Sequence, residues 1–312
     1  MPHPKKEKSY DKIPPELAHS LYSKSMELTK KGLGGIRIAR ELSATYALRV
    51  CPGTINHWIH RDRKWPQLRN IFKEVPSPAL SYIIGANKGD GCALTKSGCV
   101  KLEVTDRDFA EMFSSKMAEL FSREKQNRIL LRRFHGERLP LYIVKYSSMQ
   151  LVKFLHRPIE ELLEIALAFP RDFLRGFFDA EGYVSVGIAT RFMFSVGAEN
   201  SNKLLLDGVK QLLDKGLGIH SRINRKRKAG SIKVIRGKAF VMRRTSYSLT
   251  IGRFHDINRF ANKVNFTISR KAQKLKDALL TVTTFAPRER SAMWERLYVK
   301  KDGEWVRFEP HS

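Results

Sequence analysis

Residues 174–182 read Leu-Arg-Gly-Phe-Phe-Asp-Ala-Glu-Gly, an apolar segment with a helical pattern that ends in an acid, Glu181. The C-terminal end of a helix is the negative end of its dipole, so a carboxylate at that end is repelled. A metal cation is the usual compensation for such a charge. The segment therefore predicts a helix whose C-terminal end lies next to a bound cation.

Residues 83–91, Ile-Ile-Gly-Ala-Asn-Lys-Gly-Asp-Gly, repeat this pattern. In each copy a glycine (Gly85 or Gly176) lies five residues before the final acid (Asp90 or Glu181), and another glycine closes the motif. A single copy is explained more simply as an acidic turn residue before glycine. Two copies at matching offsets in a strongly basic chain predict two carboxylates that meet on a pseudo-two-fold axis.

Small residues recur within both motifs at a spacing of four, as Gly85 with Gly89 and as Gly176 with Ala180. Residues at this spacing share one helix face and let two helix backbones approach closely. If the two helices cross there, the two final acids meet, and they repel each other unless cations bind between them. Mg²⁺ prefers such oxygen ligands, and a site of this kind can hydrolyse a phosphodiester bond.

The composition indicates a polyanionic partner. The chain has 312 residues with 58 Lys and Arg against 31 Asp and Glu, a net charge of +27. No apolar run approaches the roughly 20 residues of a membrane span, which leaves nucleic acid as the expected partner rather than a membrane. The N-terminus lacks the apolar region of a signal peptide, and Cys51, Cys92 and Cys99 form no C-x-x-C pair. These features predict a protein of the reducing cytoplasm.

The N-terminal part predicts a basic tail over residues 1–10 and three short helices within residues 11–72. The third helix would bury Ile55 and Trp58 and expose polar side chains, a pattern typical of a helix-turn-helix DNA-binding domain. A small helical bundle with a solvated face is the alternative. The candidate DNA contacts of this domain are Thr54, Asn56, His57 and Arg61.

The remaining chain predicts an internal duplication, because the order helix, strands, helix, strands, helix occurs twice. The first unit spans residues 76–168 and the second residues 169–284, followed by a C-terminal extension, residues 285–312, to which no chemistry is assigned. The predicted fold class is α+β, with two pseudo-symmetric αββαββα units. The strands are expected near residues 100–104, 128–135, 141–146, 183–188, 191–196, 219–227 and 241–251, and one helix is expected over residues 201–215.

With these residues assembled, the chain resembles a single-chain LAGLIDADG homing endonuclease of the kind carried by archaeal introns. Residues 174–182 match the nine-residue motif closely, and residues 83–91 match it more loosely, with Lys88 where many copies have an acid. The resemblance implies that the last acid of each motif, Asp90 and Glu181, binds the catalytic divalent metal. It also implies a basic residue near the cleaved phosphate, for which Lys271 is the candidate and its neighbour Arg270 the alternative. An ordinary exposed lysine at the start of a helix is the other explanation of Lys271.

The resemblance further implies a monomer that lays two antiparallel sheets, as a saddle, into the major groove of double-stranded DNA. Residues 221–255 contain 11 Lys and Arg and no Asp or Glu, and Arg222, Asn224 and Lys226 alternate along one strand. Such side chains can bond guanine edges or phosphates; a basic surface that contacts only phosphates is the alternative. The candidate contacts in the sheets are Arg128, Arg132, Arg133, Lys145, Arg222, Asn224, Lys226 and Lys228.

The sequence therefore predicts a metal-dependent endonuclease that cuts double-stranded DNA at a long site. Three other functions fit parts of the pattern. They are an RNA-binding maturase that assists splicing of an intron, a non-catalytic transcriptional regulator of the same fold, and a DNA-binding module that acts through the helix-turn-helix alone. Retention of both final acids favours the enzyme, because degenerate members of the family usually lose them.

Overall fold

A computed structural model describes residues 15–61, 70, 72–134, 139–235, 238–301 and 303–308. The N-terminal part is a unit of three helices with a core of its own, built around Leu21, Ile38, Leu42 and Ile55. The predicted burial of Ile55 and Trp58 is observed. The helices are α1 (Pro15–Lys30), α2 (Gly35–Tyr46) and α3 (Pro52–Arg61). The predicted basic tail, residues 1–10, lies outside the described residues.

The rest of the chain contains the predicted duplication. The first unit consists of α4 (Pro78–Lys88), β1 (Gly91–Leu94), β2 (Cys99–Val104), α5 (Arg107–Leu120), β3 (Leu130–Arg132), β4 (Leu141–Ser147), α6 (Met149–Leu155) and α7 (Ile159–Ala168). The second unit consists of α8 (Pro170–Glu181), β5 (Gly182–Gly187), β6 (Met193–Asn200), α9 (Lys203–Gln211), a π-helical turn (Leu212–Leu217), β7 (Arg222–Arg227), β8 (Ile232–Ile235), β9 (Lys238–Val241), β10 (Ser246–Ile251), α10 (Phe254–Lys263) and α11 (Ser269–Thr284). The chain continues through α12 (Arg290–Leu297), β11 (Tyr298–Lys301) and β12 (Glu304–Arg307).

Each unit has one four-stranded antiparallel sheet, and the two sheets have the same topology. The strand order is β1-β2-β4-β3 in the first sheet and β5-β6-β10-β7 in the second. The predicted α+β class with two related units is confirmed. One continuous hydrophobic core, formed by α4, α8 and the inner faces of both sheets, joins the units.

The local chemistry explains where the helices begin. The Ser77 hydroxyl caps α4 by accepting a hydrogen bond from the backbone N–H of Leu80, and Pro78 occupies the first turn. Pro170 occupies the first turn of α8, where its missing N–H costs no helical hydrogen bond. The two motif helices therefore have well-defined starts.

Several predicted elements differ from those observed. β1 was missed because Gly-Cys-Ala-Leu is short and weakly patterned; it forms a hairpin with β2 through a turn in which Gly98 has a φ of +58°. The strand predicted over residues 128–135 is observed only as β3. All side chains of β3 are exposed, so packing against a core does not stabilise a longer strand. The helix predicted over residues 201–215 is observed, but its last part is π-helical and ends before Gly218, which has a φ of +66°.

Two hairpins lie outside the main sheets. β8 and β9, which the strand predictions miss, pair with each other and leave the second sheet between β7 and β10. β11 and β12 form a C-terminal hairpin, which packs with Trp294 of α12 against Phe192 of the second unit. No helix in the described part of the chain is long and apolar enough to cross a membrane.

Candidate metal-binding site at the paired helix ends

The site is built on a close crossing of α4 and α8, which the glycines of the two motifs make possible. A Cβ atom at Gly85 would lie 2.1 Å from the carbonyl oxygen of Phe173, and one at Gly176 would lie 2.2 Å from that of Tyr82. Each contact is with the backbone of the opposite helix, and the two are reciprocal. Only glycine permits this approach, as the spacing of small residues predicts.

The crossing brings the C-terminal ends of the two helices together. A Cβ atom at Gly89 would lie 2.4 Å from the Cβ of Ala180 and 3.0 Å from the Cγ of Glu181. Asp90 follows Gly89 in the turn before β1, and Glu181 is the last residue of α8, directly before β5. The structure thus brings the two final acids, Asp90 and Glu181, to one place.

The two acids are electrostatically unfavourable in the absence of a cation. Burial raises the pKa of Glu181 to about 7, and repulsion from Asp90 contributes in the same direction. Asp90 keeps an exposed surface, yet the protein around its carboxyl removes part of the hydration and raises its pKa. Among the described residues no Lys or Arg forms an ion pair with either carboxylate, so their repulsion is offset only at a distance.

These residues fit a divalent cation. The side-chain amide of Asn200 donates to Oε1 of Glu181 at 2.9 Å, which orients the carboxylate. Its other oxygen has no hydrogen bond among the described residues. No group of three or more His, Cys, Asp or Glu side chains gathers at a metal site in the described part of the chain. The pair would therefore bind a hard ion whose other ligands are water and phosphate oxygens, which is the usual coordination of Mg²⁺.

Lys271 lies at the same helix end. Its Nζ donates to the carbonyl oxygen of Asp179 at 2.7 Å and contacts that of Phe178 at 3.4 Å, so it satisfies carbonyls that the end of α8 leaves free. Burial lowers the pKa of Lys271 to about 8, and Arg270 adds repulsion. The positive charge of Lys271 opposes the rise in the pKa of Asp90 and of Glu181, and a catalytic role for this lysine stays a prediction.

Asp179, the earlier acid of the second motif, has a structural position that the sequence does not reveal. It is buried and accepts hydrogen bonds from the Tyr82 hydroxyl at 2.8 Å and from the backbone N–H of Thr267 at 2.7 Å. The first bond joins the two units, and the second holds the segment that leads into α11, which carries Lys271. Asp179 therefore ties the basic residue to the helix crossing.

The start of α11 is also tied to the first unit. Arg270 donates two hydrogen bonds to the carboxylate of Asp106, at 2.6 and 2.9 Å. The backbone N–H of Ser269 donates to Oδ2 of Asp108 at 2.5 Å. Because its guanidinium is held by this ion pair, Arg270 has a structural role, and in this it differs from its neighbour Lys271.

The predicted DNA contacts of the first unit are exposed, but they do not form one row. Lys145 lies on β4 and Arg132 on β3, where Arg132 pairs with Glu103 at 3.1 Å. Arg128 and Arg133 lie before and after β3, so the prediction that they belong to a strand is wrong. The strand is short because Leu130 and Leu131 find no buried face.

The predicted contacts of the second unit lie along β7 and just after it. Arg222 and Asn224 are exposed on the outer face of the sheet, while Ile223 packs on the core, as the alternation predicts. The register with β10 shifts at the end of β7, and there Lys226 bonds Glu199 at 2.6 Å. Lys228 is exposed beyond the strand.

In the three-helix unit, α3 carries the other candidates. His57 is exposed and Thr54 is half-buried. The amide oxygen of Asn56 lies against the start of α2, 2.0 Å from where a Cβ of Gly35 would be, so this side chain folds back onto the unit. Arg61 is the last residue of α3, and its side chain lies outside the described part.

Comparison with known proteins identifies relatives of this chain. Residues 168–265 match the family model of the LAGLIDADG-like domain. The uncharacterized protein MJ0398 of Methanocaldococcus jannaschii is 32% identical over 263 residues, which cover 81% of this chain and 90% of that protein. The chain belongs to one family with MJ0398 and contains a LAGLIDADG-like domain. A second protein of that organism, MJ0314, is 28% identical over 156 residues, 46% of this chain and 56% of that protein.

Two solved structures resemble this LAGLIDADG-like protein at low sequence identity. The homing endonuclease I-DmoI in complex with DNA and Mn is 19% identical and aligns with a TM-score of 0.40 over 61% of this chain and 97% of that chain. Full-length WhiA from Thermatoga maritima is 13% identical and aligns with a TM-score of 0.43 over 74% of this chain and 69% of that chain.

Proposed function

We propose that this LAGLIDADG-like protein is a site-specific endonuclease that hydrolyses phosphodiester bonds of double-stranded DNA, of the archaeal intron-homing type. The observation that carries the proposal is the meeting of Asp90 and Glu181 at the ends of two interlocked helices. Their raised pKa values indicate a pair that gains from a bound cation. Without such a ligand, two acids on a close helix crossing only destabilise the fold.

Asp90 and Glu181 would hold the divalent ion, for which Mg²⁺ is the expected choice. When bound, the ion would activate water and stabilise the negative charge that develops on the phosphate and leaving oxygen. Asn200 orients the Glu181 carboxylate. Lys271 adds a positive charge at the end of α8, where it can stabilise a phosphate without an ion pair to either acid.

The two sheets would form the DNA-binding saddle, with residues 76–168 and 169–284 as the two units. Residues 11–72 are assigned to a helix-turn-helix that adds affinity beside the central site, and residues 285–312 to an extension that supports the second unit. One chain contains both acids, so a monomer is sufficient for activity. A cytoplasmic location is proposed from the cysteine usage alone.

The decisive experiment is a cutting assay with the full chain. The protein is incubated with Mg²⁺ and a library of genomic fragments from its source, including the intron-less form of its host gene. We expect double-strand breaks at one defined site, and none when EDTA replaces the metal. Binding without cutting, over a range of Mg²⁺ and Mn²⁺ concentrations, would contradict the proposed endonuclease activity.

A second candidate function is a non-cutting DNA-binding regulator, which the three-helix unit favours. That unit has its own core and presents an exposed His57 on its third helix. Selective binding to a promoter fragment without cleavage would support this function. Selective binding to intron RNA would instead support a maturase.

Replacing Lys271 by Met is expected to lower the cutting rate about a hundredfold, because a positive charge at the phosphate is lost. Lys271→Arg keeps the charge. The wild-type rate should fall as pH rises through about 8, where Lys271 loses its proton. Because an arginine stays charged over this range, the fall should be absent in Lys271→Arg. Initial rates at saturating DNA between pH 6.5 and 9.5 test this prediction, and identical profiles for the two proteins would contradict it.

The β8–β9 hairpin is expected to lengthen the contact with one half of the DNA site. It leaves the second sheet between β7 and β10, exposes Ile232, Phe240 and Val241, and has no described counterpart between β3 and β4. A strand of this length spans about 13 Å, or about four base pairs. Replacing residues 230–243 by a two-residue turn should shorten the hydroxyl-radical footprint at one end only, by about four base pairs. The opposite end is the internal control, and an unchanged footprint would count against this role.

A further inference from the structure

Two acids stand out on the otherwise basic or neutral strands of the two sheets. In the described strands of both four-stranded sheets, Glu103 on β2 and Glu199 on β6 are the only carboxylate side chains. A carboxylate on a surface that faces DNA phosphates is repelled, so an unpaired acid there weakens binding. Their presence therefore calls for a specific reason.

The strand registers show that the two acids occupy equivalent positions. The glycine that closes each motif pairs with Leu102 in the first sheet and with Ala198 in the second. Glu103 and Glu199 are the next residues along their strands. Because Leu102 and Ala198 are fully buried and side chains alternate along a strand, both acids point to the outer face.

One basic partner of each acid is also in an equivalent position. Glu103 lies 3.1 Å from Arg132 of β3, besides Lys101 of its own strand at 2.7 Å, and Glu199 lies 2.6 Å from Lys226 of β7. In the first sheet, Leu130 of β3 lies in the same cross-strand row as the acid, and the basic partner lies two residues further along β3. In the second sheet, Asn224 of β7 lies in the row of the acid, and the basic partner again lies two residues further along. The same acid–base pair is thus built twice.

The pairing holds both acids ionised and accessible. A hydrogen bond from Lys101 lowers the pKa of Glu103. Partial burial is the largest single influence on Glu199 and acts against its ionisation. The hydrogen bond from Lys226 and the positive charges of Lys226 and Arg227 together outweigh it and lower the pKa of that acid. The side chains remain 28% and 29% exposed. The Oε1 atom of Glu103 is buried, so Oε2 is the oxygen of that acid with which it would accept a hydrogen bond on the outer face.

We propose that Glu103 and Glu199 each select a cytosine in the major groove, by accepting a hydrogen bond from its N4 amino group, at base pairs symmetric about the cleavage centre. The proposal rests on the proposed binding of double-stranded DNA. Guanine O6 and N7 and thymine O4 are acceptors that repel a carboxylate, and adenine places the N7 acceptor beside its N6 donor. Cytosine is therefore the base that an ionised acid tolerates best. The positive charge of the basic partner reduces the repulsion between each acid and the DNA phosphates.

The test compares the base preferences of the full chain with those of Glu103→Gln and Glu199→Gln. Binding is selected from libraries randomised around the wild-type site, in Ca²⁺ to separate binding from cutting. Glu111→Gln on α5 is the matched control, since Glu111 is an exposed acid with an Arg partner away from the sheets. Thermal melting confirms that each variant is folded.

We expect each sheet variant to lose its preference for cytosine at one base pair, by about tenfold, and to gain a preference for adenine, because glutamine bonds adenine N6 and N7. The two affected base pairs should lie equally far from the cleavage centre, one in each half-site. A uniform change at all positions, equal to that of Glu111→Gln, would overturn the proposal and assign the acids to charge balance. If the wild type itself selects no DNA duplex, the proposed function fails instead.

Discussion

Replacing Glu181 by Gln is expected to lower the rate of DNA cutting by at least about a thousandfold, while DNA binding is retained. The substitution keeps the shape of the side chain and an oxygen that can accept the hydrogen bond from Asn200. It removes the negative charge with which the side chain would hold a divalent ion. Single-turnover cleavage and binding in Ca²⁺, measured on the same DNA, separate the two effects. Asp90→Asn is expected to behave in the same way.

A second readout of Glu181→Gln does not depend on activity. The folded-state pKa of Glu181, about 7, lies above its ordinary value of 4.5, so the folded protein binds more protons than the unfolded chain between these pH values. The free energy of unfolding of the wild type should therefore fall as pH rises from about 4.5 to about 7, and this contribution should be absent in the variant. Mg²⁺ should raise the melting temperature of the wild type at pH 8 more than that of Glu181→Gln.

Glu111→Gln is again the control for loss of one negative charge, and we expect it to cut at the wild-type rate. Cutting by Glu181→Gln at more than about a tenth of that rate would remove Glu181 from the site. If both motif variants cut normally, the two acids are ordinary helix-end residues, and the basic surface must act without them.

The helix crossing could be predicted from sequence because its requirement is local. Glycines at matching offsets in two short motifs, followed by acids, are enough to indicate two backbones in contact and two carboxylates together. The same reasoning could not find the role of Asp179, because its partners Tyr82 and Thr267 lie 97 and 88 residues away. Its only signal was that it is an acid on an apolar helix.

Elements without a buried face were the hardest to predict. β3 is exposed throughout, and so are the apolar side chains described at Ile232, Phe240 and Val241 in the β8–β9 hairpin. Neither shows the alternation that a core imposes on a strand. The equivalence of Glu103 and Glu199 likewise depends on the strand register, which the sequence does not specify. Packing against the core can be predicted from the sequence, whereas strand pairing at the sheet edges cannot.

Replacing Gly176 by Ala is expected to lower the free energy of unfolding by about 3 kcal/mol, the largest effect on stability that we predict. The added Cβ would lie 2.2 Å from the carbonyl oxygen of Tyr82 and 3.0 Å from the backbone nitrogen of Ala86. Both atoms belong to the backbone of α4, so no side-chain rotation relieves the contact and the helices must separate. The final acids, Asp90 and Glu181, would then move apart, so cutting should fall as well.

Gly187→Ala is the matched control, because nothing lies within 4 Å of a Cβ at that position. We expect its stability to be within about 0.5 kcal/mol of the wild type. Urea unfolding of the three proteins, followed by tryptophan fluorescence and by circular dichroism, measures the difference. A Gly176→Ala variant as stable as Gly187→Ala would show that the helices have room at the crossing. The acids would then be held together by the sheets rather than by the glycines, because the two helices would no longer depend on direct backbone contact.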